Sequence, residues 1–557
     1  MSDKNHDHRT AADSRRGFLK ATATALVGTA LIPESLSSQP STVTTAGEAV
    51  PRFELDEASL VTLQLGLKSG EYNSIKLVEL YLSRIEAIDR HGPSLNAVIE
   101  INPDAAAIAD QMDAERKAKR PRGPLHGIPV LIKDNIATAD KMQTTAGSLA
   151  LVGSLPPYDS AVAARLRAAG AVILGKTNLS EWANLRSSHS TSGWSGRGGL
   201  TKNPYALDRN PSGSSSGSGT AVASSLCAVA VGSETDGSIV SPSNNCGIVG
   251  IKPTVGLIAR TGIIPISHTQ DTAGPMTRTV ADAAALLSIL AGVDDRDPAT
   301  AAAAGHIQPD YTKFLDKNGL RGARIGVVRK YAGFNTDVDT LFDEAINAMK
   351  RAGAEVVDPV EIPTIGKFDD AELLVLLYEF KDDLNRYLAW LGASTQVHSM
   401  KDVINFNDGH RNQEMPYFGQ DLMAQSEAKG PLTSPEYLKA LNDCRRQSRT
   451  EGIDATMDKF KLDALIAPTG GPAWTTDLLN GDHTVGGSST LAAVAGYPNI
   501  NVPMGFTFGM PVGISFFGRA WSEPVLIKLA YAYEQLTSAR KPPNFSPSAD
   551  LSLKNRK

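Results

Sequence analysis

The pattern of apolar and polar positions is helical between residues 56 and 90. Leu60, Leu63, Leu77 and Ile85 recur at the spacing of one face of a helix, and Gly92 and Pro93 then end the pattern. We therefore predict surface helices in this stretch, each with a single buried face.

Short apolar runs then alternate with longer segments of helical periodicity as far as residue 537. Such short runs predict buried strands, whereas the longer periodic segments predict helices. The predicted strands are 128–132, 171–174, 228–232, 324–328, 464–467, 501–503 and 512–517, and the predicted helices are 103–119, 160–169, 220–227, 279–290, 338–351, 371–391, 435–460 and 524–537. This rhythm is typical of an α/β fold with a mostly parallel or mixed sheet covered by helices on both faces.

No repeat and no clear linker interrupts this alternation. We therefore predict one large α/β domain over residues 51–545, followed by a C-terminal tail over residues 546–557. Residues 368–433 are predicted to form an insertion or a cap over the site.

Composition and charge exclude several classes of function. The 557 residues include 55 Lys and Arg against 60 Asp and Glu, which gives a formal net charge of −5 and makes nucleic acid a poor partner. The three cysteines form no C-x-x-C pair, and the ten histidines show no H-E-x-x-H pattern. Neither a disulfide framework nor a metal site is expected, and no cofactor is implied.

The amino terminus has the pattern of an export leader. Ser14, Arg15 and Arg16 precede Gly-Phe-Leu-Lys and a weakly apolar stretch over residues 21–32, which resembles the twin-arginine export signal. The apolar run is much shorter than the roughly 20 residues needed to span a bilayer, so it predicts a cleavable leader and no stable membrane anchor. We interpret residues 1–50 as this leader and a disordered lead-in. The expected location is periplasmic or secreted, with the twin-arginine export machinery as a partner.

Three segments carry candidate chemistry. Lys133 stands at the exit of the apolar strand 128–132, which is an unusual place for a lysine. The Gly/Ser run over residues 212–219 leads into a helix-forming stretch, and a second small, polar segment over residues 232–240 directly follows an apolar strand. Glycines inside a domain permit strained backbone and close approach, so these segments indicate a site rather than a linker.

These segments and two others resemble the amidase-signature family, in order and over essentially the whole mature chain. The matching stretches are residues 125–135, the Gly/Ser run, Thr235-Asp236-Gly237-Ser238, residues 246–254 and residues 271–276. The resemblance implies the amidase signature fold and hydrolysis of a carboxamide to a carboxylic acid and ammonia or an amine. It also implies a Ser-Ser-Lys triad, with Ser238 as the nucleophile, Ser214 after a cis peptide bond, and Lys133 as the base.

The chemistry of these residue types is consistent with that assignment. Serine is a poor nucleophile without a base in hydrogen-bond reach, and lysine serves as a base only when burial keeps it neutral. We therefore expect a neutral Lys133 and a seryl acyl-enzyme. The backbone N–H groups of Thr235, Asp236, Gly237 and Ser238 are expected to form the oxyanion hole. Ser215 and Asp271 are expected to orient these groups rather than to react.

One departure from the family pattern lies beside the nucleophile. Many members resemble Gly-Gly-Ser-Ile-Arg here, whereas this chain has Asp236-Gly237-Ser238-Ile239-Val240, so the arginine and its ion pair are absent. This variant and residues 513–521 resemble the peptide-amidase subgroup, whose members are exported and remove a carboxy-terminal amide from peptides. A small-molecule or peptide amide is therefore the expected substrate.

Other interpretations compete with this one. Gly213 to Gly217 fits G-x-S-x-G, which would make Ser215 the nucleophile of an α/β-hydrolase-type esterase, but the polar segment 202–211 does not form the strand that must precede it. Gly170 to Thr177 fits the phosphate-loop pattern, but residues 171–174 form an apolar strand. An inactive exported binding protein on the same scaffold, or an amidotransferase subunit, is a further alternative.

Overall fold

An eleven-stranded mixed sheet forms the centre of the structure, a computed structural model that describes residues 50–552. The strands are β1 (Val98–Ile101), β2 (Pro129–Lys133), β3 (Val172–Thr177), β4 (Trp194–Ser195), β5 (Gly199–Leu200), β6 (Val229–Glu234), β7 (Val249–Lys252), β8 (Thr272–Thr277), β9 (Arg324–Val327), β10 (Glu355–Val357), β11 (Ala464–Pro468), β12 (Asn499–Thr507) and β13 (Met510–Phe517). Strands β4 and β5 form a separate two-stranded ribbon. The order in the large sheet is β1-β3-β2-β6-β8-β7-β12-β13-β11-β9-β10.

The pairing of β2 with β6 decides where the site forms. These two strands are parallel, with Val130 opposite Val229 and Ile132 opposite Val231. Because both strands run in the same direction, their carboxyl ends meet at one edge of the sheet. Lys133 at the end of β2 and the segment after β6 therefore lie side by side.

Sixteen α-helices occur in the described part of the chain and cover both faces of the sheet. They are α1 (Leu60–Ser69), α2 (Ser74–Arg84), α3 (Ala105–Lys117), α4 (Ala161–Ala168), α5 (Ser216–Ala223), α6 (Val240–Asn245), α7 (Val280–Leu290), α8 (Thr336–Arg351), α9 (Asp369–Leu391), α10 (Met400–Gly409), α11 (Arg411–Glu414), α12 (Asp421–Glu427), α13 (Pro435–Arg445), α14 (Asp454–Phe460), α15 (Thr490–Ala495) and α16 (Glu523–Thr537). The predicted single α/β domain with a mixed sheet is confirmed.

The structure differs from the predicted elements in a few places with clear causes. Strands β1, β7, β8 and β10 were not predicted, because they are short or, in β8, contain Gly274 and Pro275, which obscure the pattern of a strand. Helix α5 begins at Ser216, earlier than the predicted residue 220, because the Gly/Ser run continues into its first turn. The predicted helix 435–460 contains a π-helical segment between α13 and α14.

Helix α9, within residues 368–433, packs against the segments that follow β2 and β3. Phe380, Leu384 and Leu388 of α9 are fully buried in one cluster with Leu151 and Trp182. This apolar contact fixes α9 on the domain, so its polar side chains are held in place beside the site.

No helix in residues 50–552 has both the length and the apolar character needed to cross a membrane. The predicted leader and lead-in fall almost entirely outside the described residues.

The main core predicts a large effect for a single truncation on β13. The Phe516 side chain is fully buried there, whereas Leu479 is 82% exposed in a loop. Replacing Phe516 by alanine should lower the free energy of unfolding by about 3–5 kcal/mol, since it removes buried surface and leaves a cavity. Leu479→Ala is the matched control and should change it by less than about 0.5 kcal/mol. Urea unfolding followed by fluorescence measures both, and equal midpoints for the two variants would contradict the prediction.

Candidate active site

Lys133 lies at the centre of a buried hydrogen-bond network. Its side chain is fully buried, and its Nζ atom is 2.7 Å from Ser214 Oγ, 3.0 Å from Ser233 Oγ and 3.2 Å from the Ser233 carbonyl oxygen. Asn135 Nδ2 donates to the same Ser233 hydroxyl at 2.9 Å. Lys133 and Ser214, which the sequence motifs singled out, are thus in direct contact.

Ser233 and Asn135 are functional neighbours that sequence reasoning missed. Both lie within segments that had been singled out, next to the end of β6 and of β2, but each carries an ordinary polar side chain. Ser233 supplies two of the three oxygen atoms around Lys133 Nζ. Only the parallel pairing of β2 with β6, which sequence periodicity does not determine, brings it there.

Burial sets the charge of Lys133. Desolvation lowers the pKa of the amine to about 7, against the opposing attraction of the Asp271 and Glu234 carboxyls. An ammonium ion in this position would lose its hydration and gain no carboxylate at hydrogen-bond distance. Near pH 7 the amine is therefore neutral in a large fraction of the molecules, and its lone pair is available to accept a proton.

Ser214 is held by the loop that leads into α5. The Gly213–Ser214 peptide bond is cis, as the family resemblance implied, and Ser214 is fully buried. The first turn of α5 packs tightly: a Cβ atom on Gly217 would lie 2.4 Å from the carbonyl oxygens of Ala97 and Asn178. Glycine is required there so that the helix start, and Ser214 before it, can approach the sheet.

The segment from Thr235 to Ser238 turns sharply between β6 and α6. Gly237 adopts φ +78°, a left-handed conformation suited to glycine. Glu234 Oε2 accepts hydrogen bonds from the backbone N–H groups of Ile239 at 2.7 Å and Val240 at 3.0 Å, which fixes the far end of the turn. Ser238 is 8% exposed, and its carbonyl oxygen accepts from Ser215 N–H at 3.2 Å.

Backbone donors in this turn are free to bind a ligand. In residues 50–552, the N–H groups of Asp236, Gly237 and Ser238 donate to no other group, whereas those of Ile239 and Val240 are engaged by Glu234. Unpaired N–H groups on a tight turn are the arrangement that stabilises an oxyanion.

Asp271 and Ser215 hold neighbouring parts of the site. Asp271 accepts a hydrogen bond from Thr235 Oγ1 at 2.6 Å and from the Ile266 and Ser267 N–H groups at 2.8 and 2.9 Å. Burial raises the pKa of Asp271 to about 6. Ser215 Oγ donates to the Ser233 carbonyl oxygen at 3.0 Å.

Two cavities flank the turn. The front cleft, of about 250 Å³, is bounded by Gly213, Asp236, Gly237, Trp474 and Asp482 among others. The rear cavity, of about 260 Å³, is bounded by Asn135, Ser233, Thr235 and by side chains of α9 that include Tyr387. Part of the 368–433 region thus forms a wall of the rear cavity.

One group of side chains has the composition of a metal site. His268, Glu379 and Asp383 place ligand atoms within 4.8 Å of one another. These atoms are already paired, because His268 Nδ1 is 2.8 Å from Asp383 and Glu379 Oε1 accepts from Tyr437 at 2.7 Å. Burial disfavours the charged imidazole, but the hydrogen bond to Asp383 and the negative charges of Glu379 and Asp383 have the larger combined effect and raise the pKa of His268. The group fits an ion pair that ties α9 to the loop before Asp271.

The two rejected sequence motifs have structural roles. Within the phosphate-loop pattern, Lys176 is a fully buried residue of β3 that donates to the Ile136 carbonyl oxygen at 2.7 Å and to Thr144 Oγ1 at 2.8 Å. Ser215, the nucleophile that the G-x-S-x-G pattern would predict, forms hydrogen bonds through its hydroxyl with the backbone of Ser233. Neither motif provides the geometry that its usual function needs.

The comparisons with known proteins agree with this geometry. The family model described as "Amidase" matches residues 76–527. A protein of Arabidopsis thaliana that bears the name "Probable amidase" is 44% identical over 503 residues, covering 88% of this chain and 92% of the relative. The structure of native peptide amidase from Stenotrophomonas maltophilia superposes with a TM-score of 0.84 at 53% identity, covering 89% of this chain and all of that chain.

A more distant solved structure has the same architecture. An amidase family protein from Bacillus anthracis is 36% identical, with a TM-score of 0.80 over 88% of this chain and 93% of that chain. The chain therefore belongs to the amidase family, and its activity is the hydrolysis of an amide bond.

Proposed function

We propose that the enzyme removes the carboxy-terminal amide of peptides, with Ser238 as nucleophile, Ser214 as proton relay and Lys133 as base. The observation that carries the proposal is the 2.7 Å contact between the buried Lys133 Nζ and Ser214 Oγ. A neutral amine in that contact accepts a proton, which a surface lysine at neutral pH does not.

Acylation uses these three side chains in sequence. Lys133 draws the proton of Ser214, and Ser214 draws the proton of Ser238, whose oxygen attacks the carbonyl carbon of the substrate amide. The N–H groups of Asp236, Gly237 and Ser238 bind the negative oxygen that develops. As the tetrahedral intermediate collapses, Ser214 gives its proton to the leaving nitrogen and regains one from the Lys133 ammonium, so ammonia departs and Lys133 is neutral again.

Water then completes the cycle through the same groups. Ser214 and Lys133 accept a proton from the attacking water, the acyl bond to Ser238 breaks, and Ser238 regains its proton. The products are the peptide with a free carboxylate and ammonia.

The peptide substrate is supported by the front cleft and by the relatives. Ser192, Ser212, Ser241 and Thr484 give the cleft polar walls that suit the backbone groups of a peptide. The solved structures at 52–53% identity include a peptide amidase. A long, uniformly apolar tunnel, which a lipid amide would need, is not what these side chains form.

Replacing Ser238 by alanine tests the nucleophile and the substrate class together. The variant should retain its fold but lose at least about 10⁴-fold in kcat, because it lacks the hydroxyl that forms the acyl-enzyme in the proposed mechanism. The assay measures ammonia released from blocked peptide amides, with simple aliphatic and aromatic amides, p-nitroanilides and esters alongside. Ser83→Ala, which removes an exposed serine hydroxyl on α2, is the control and should keep wild-type turnover. Undiminished ammonia release by the Ser238 variant would refute the mechanism, and turnover of esters alone would refute the amide substrate.

The depressed pKa of Lys133 predicts a specific pH dependence. As pH falls through about 7, the amine becomes protonated and can no longer act as a base. The ratio kcat/KM for a peptide amide without titratable groups should therefore fall about tenfold per pH unit below 7 and level off above it. Lys133→Arg, which is cationic throughout, should be inactive across the range. A flat profile down to pH 5 would contradict the role of a neutral lysine.

We also propose that the twin-arginine segment directs export, so that the mature enzyme acts in the periplasm or outside the cell. The support is the sequence of residues 14–20 and the apolar stretch that follows. Changing both Arg15 and Arg16 to lysine should keep the protein in the cytoplasm, because the export receptor recognises the arginine pair. Cell fractionation and immunoblotting measure this, with Arg9→Lys as the control. Unchanged export of the double variant would overturn the proposal.

A further inference from the structure

The ionisable side chains that border the front cleft are all carboxyls, and burial raises the pKa of both. Two carboxyl side chains, Asp236 and Asp482, border it, and none of its lining residues within 50–552 is a lysine, arginine or histidine. Asp482 accepts hydrogen bonds from the N–H group of Ser192 at 2.9 Å and from its hydroxyl at 2.5 Å. The aromatic ring of Trp474 also borders the cleft, close to Asp482, and the face of such a ring attracts cations.

Asp236 has an unused acceptor beside the nucleophile. Its Oδ2 atom accepts from Thr490 Oγ1 at 2.7 Å, and the Ser489 hydroxyl is close enough to lower the pKa of the carboxyl, but the buried Oδ1 atom has no hydrogen-bond partner among the described residues. A buried carboxylate oxygen without a donor is costly, so the site is completed when a ligand supplies one.

Both carboxyl groups and one buried lysine lie near Asp236. Burial, and then the nearby Asp236 carboxyl, hold the pKa of Glu372 well above its ordinary value, and Asp369 lies close enough to act in the same direction. Lys252 is close enough to lower the pKa of Asp236, but it is fully buried, and its one hydrogen bond to a described residue is to the Pro253 carbonyl oxygen, at 3.4 Å. Among residues 50–552, no lysine, arginine or histidine borders the cleft beside Asp236.

Two positions of the cleft differ from the Gly-Gly-Ser-Ile-Arg pattern that many family members resemble, as in the peptide-amidase subgroup that this variant resembles. Where many members resemble Gly-Gly-Ser-Ile-Arg, Asp236 adds a negative charge and Val240 removes a positive one. Both positions border the front cleft, on either side of Ser238. The two differences change the local charge in the same direction.

We propose that the front cleft selects peptide amides that carry a positive charge next to the scissile carbonyl, with Asp236 and Asp482 as the specificity-determining residues. The charge is the ammonium or guanidinium of a basic side chain or the free amino terminus of a short peptide. This proposal rests on the peptide amidase function proposed above. A carboxylate in the same position is repelled by both aspartates, and a neutral side chain is accepted with intermediate efficiency.

A matched substrate series tests the proposal. Acetyl-Ala-X-amide with X as lysine, norleucine or glutamate keeps the size of the side chain nearly constant while its charge changes. We expect kcat/KM to fall in that order, with lysine at least about tenfold above glutamate, since one charge pair in a partly desolvated cleft supplies this much. Ala-norleucine-amide with a free and with an acetylated amino terminus separates the two sources of the charge.

Variants then assign the effect to the cleft. Asp236→Asn and Asp482→Asn should each bring the lysine to glutamate ratio closer to one, whatever they do to the overall rate. Asp482 belongs to a different segment from the catalytic turn, so it remains informative if the Asp236 variant is unstable. Asp370→Asn removes the same charge from an exposed position near the start of α9 and should leave the ratio unchanged.

The outcomes separate this proposal from the function on which it rests. If none of the peptide amides in the series is hydrolysed, the peptide amidase function fails. If the norleucine peptide amide is hydrolysed but neither lysine nor a free amino terminus gives an advantage over it, the charge selection fails. A ratio that Asp370→Asn lowers as much as Asp236→Asn would also overturn the proposal, because the effect would then come from net charge and not from the cleft.

Discussion

The exclusion of water from the Lys133 amine is the constraint on which the site depends. Lysine in water is cationic at neutral pH and cannot accept a proton, so Lys133 can serve as the base of the proposed mechanism only because the sheet buries it. The order β3-β2-β6 provides this, because β2 is covered on both sides by parallel neighbours and its carboxyl end is closed by the loop before α5. The oxygens of Ser214 and Ser233 then give the neutral amine its hydrogen bonds without adding a counter-ion in contact.

The turn after β6 keeps three of its backbone N–H groups away from protein acceptors. Glu234 takes up the N–H groups of Ile239 and Val240, and Asp271 holds Thr235 through its hydroxyl. The hydrogen bonds that fix the two ends of the turn therefore leave the N–H groups of Asp236, Gly237 and Ser238 unoccupied among the described residues. Preorganised donors of this kind need no rearrangement when charge develops on the substrate, which is why such a turn is effective in acyl transfer.

The fold class and most helices could be predicted from the sequence, because the spacing of apolar residues is enough to identify long periodic segments such as α8 and α9. It missed strands such as β7 and β8, where glycine and proline hide the alternation, and the strand order, which depends on long-range packing. At the site, the motifs identified Lys133 and Ser214, and the structure joins them in one contact. Ser233 was not identified, since nothing in the sequence says that β6 lies beside β2.

Catalysis and substrate choice are separable in this architecture. The groups that fix the turn bind backbone N–H atoms at positions 239 and 240, so the backbone keeps its course whichever side chain stands at position 240. Asp236 similarly has two separate roles: its backbone N–H is one of the free donors of the turn, and its carboxyl group borders the front cleft. A change from glycine to aspartate or from arginine to valine can therefore alter the field that a substrate meets without moving the nucleophile or the base. Members of one family that share Lys133, Ser214 and Ser238 are free to differ in substrate charge for this reason.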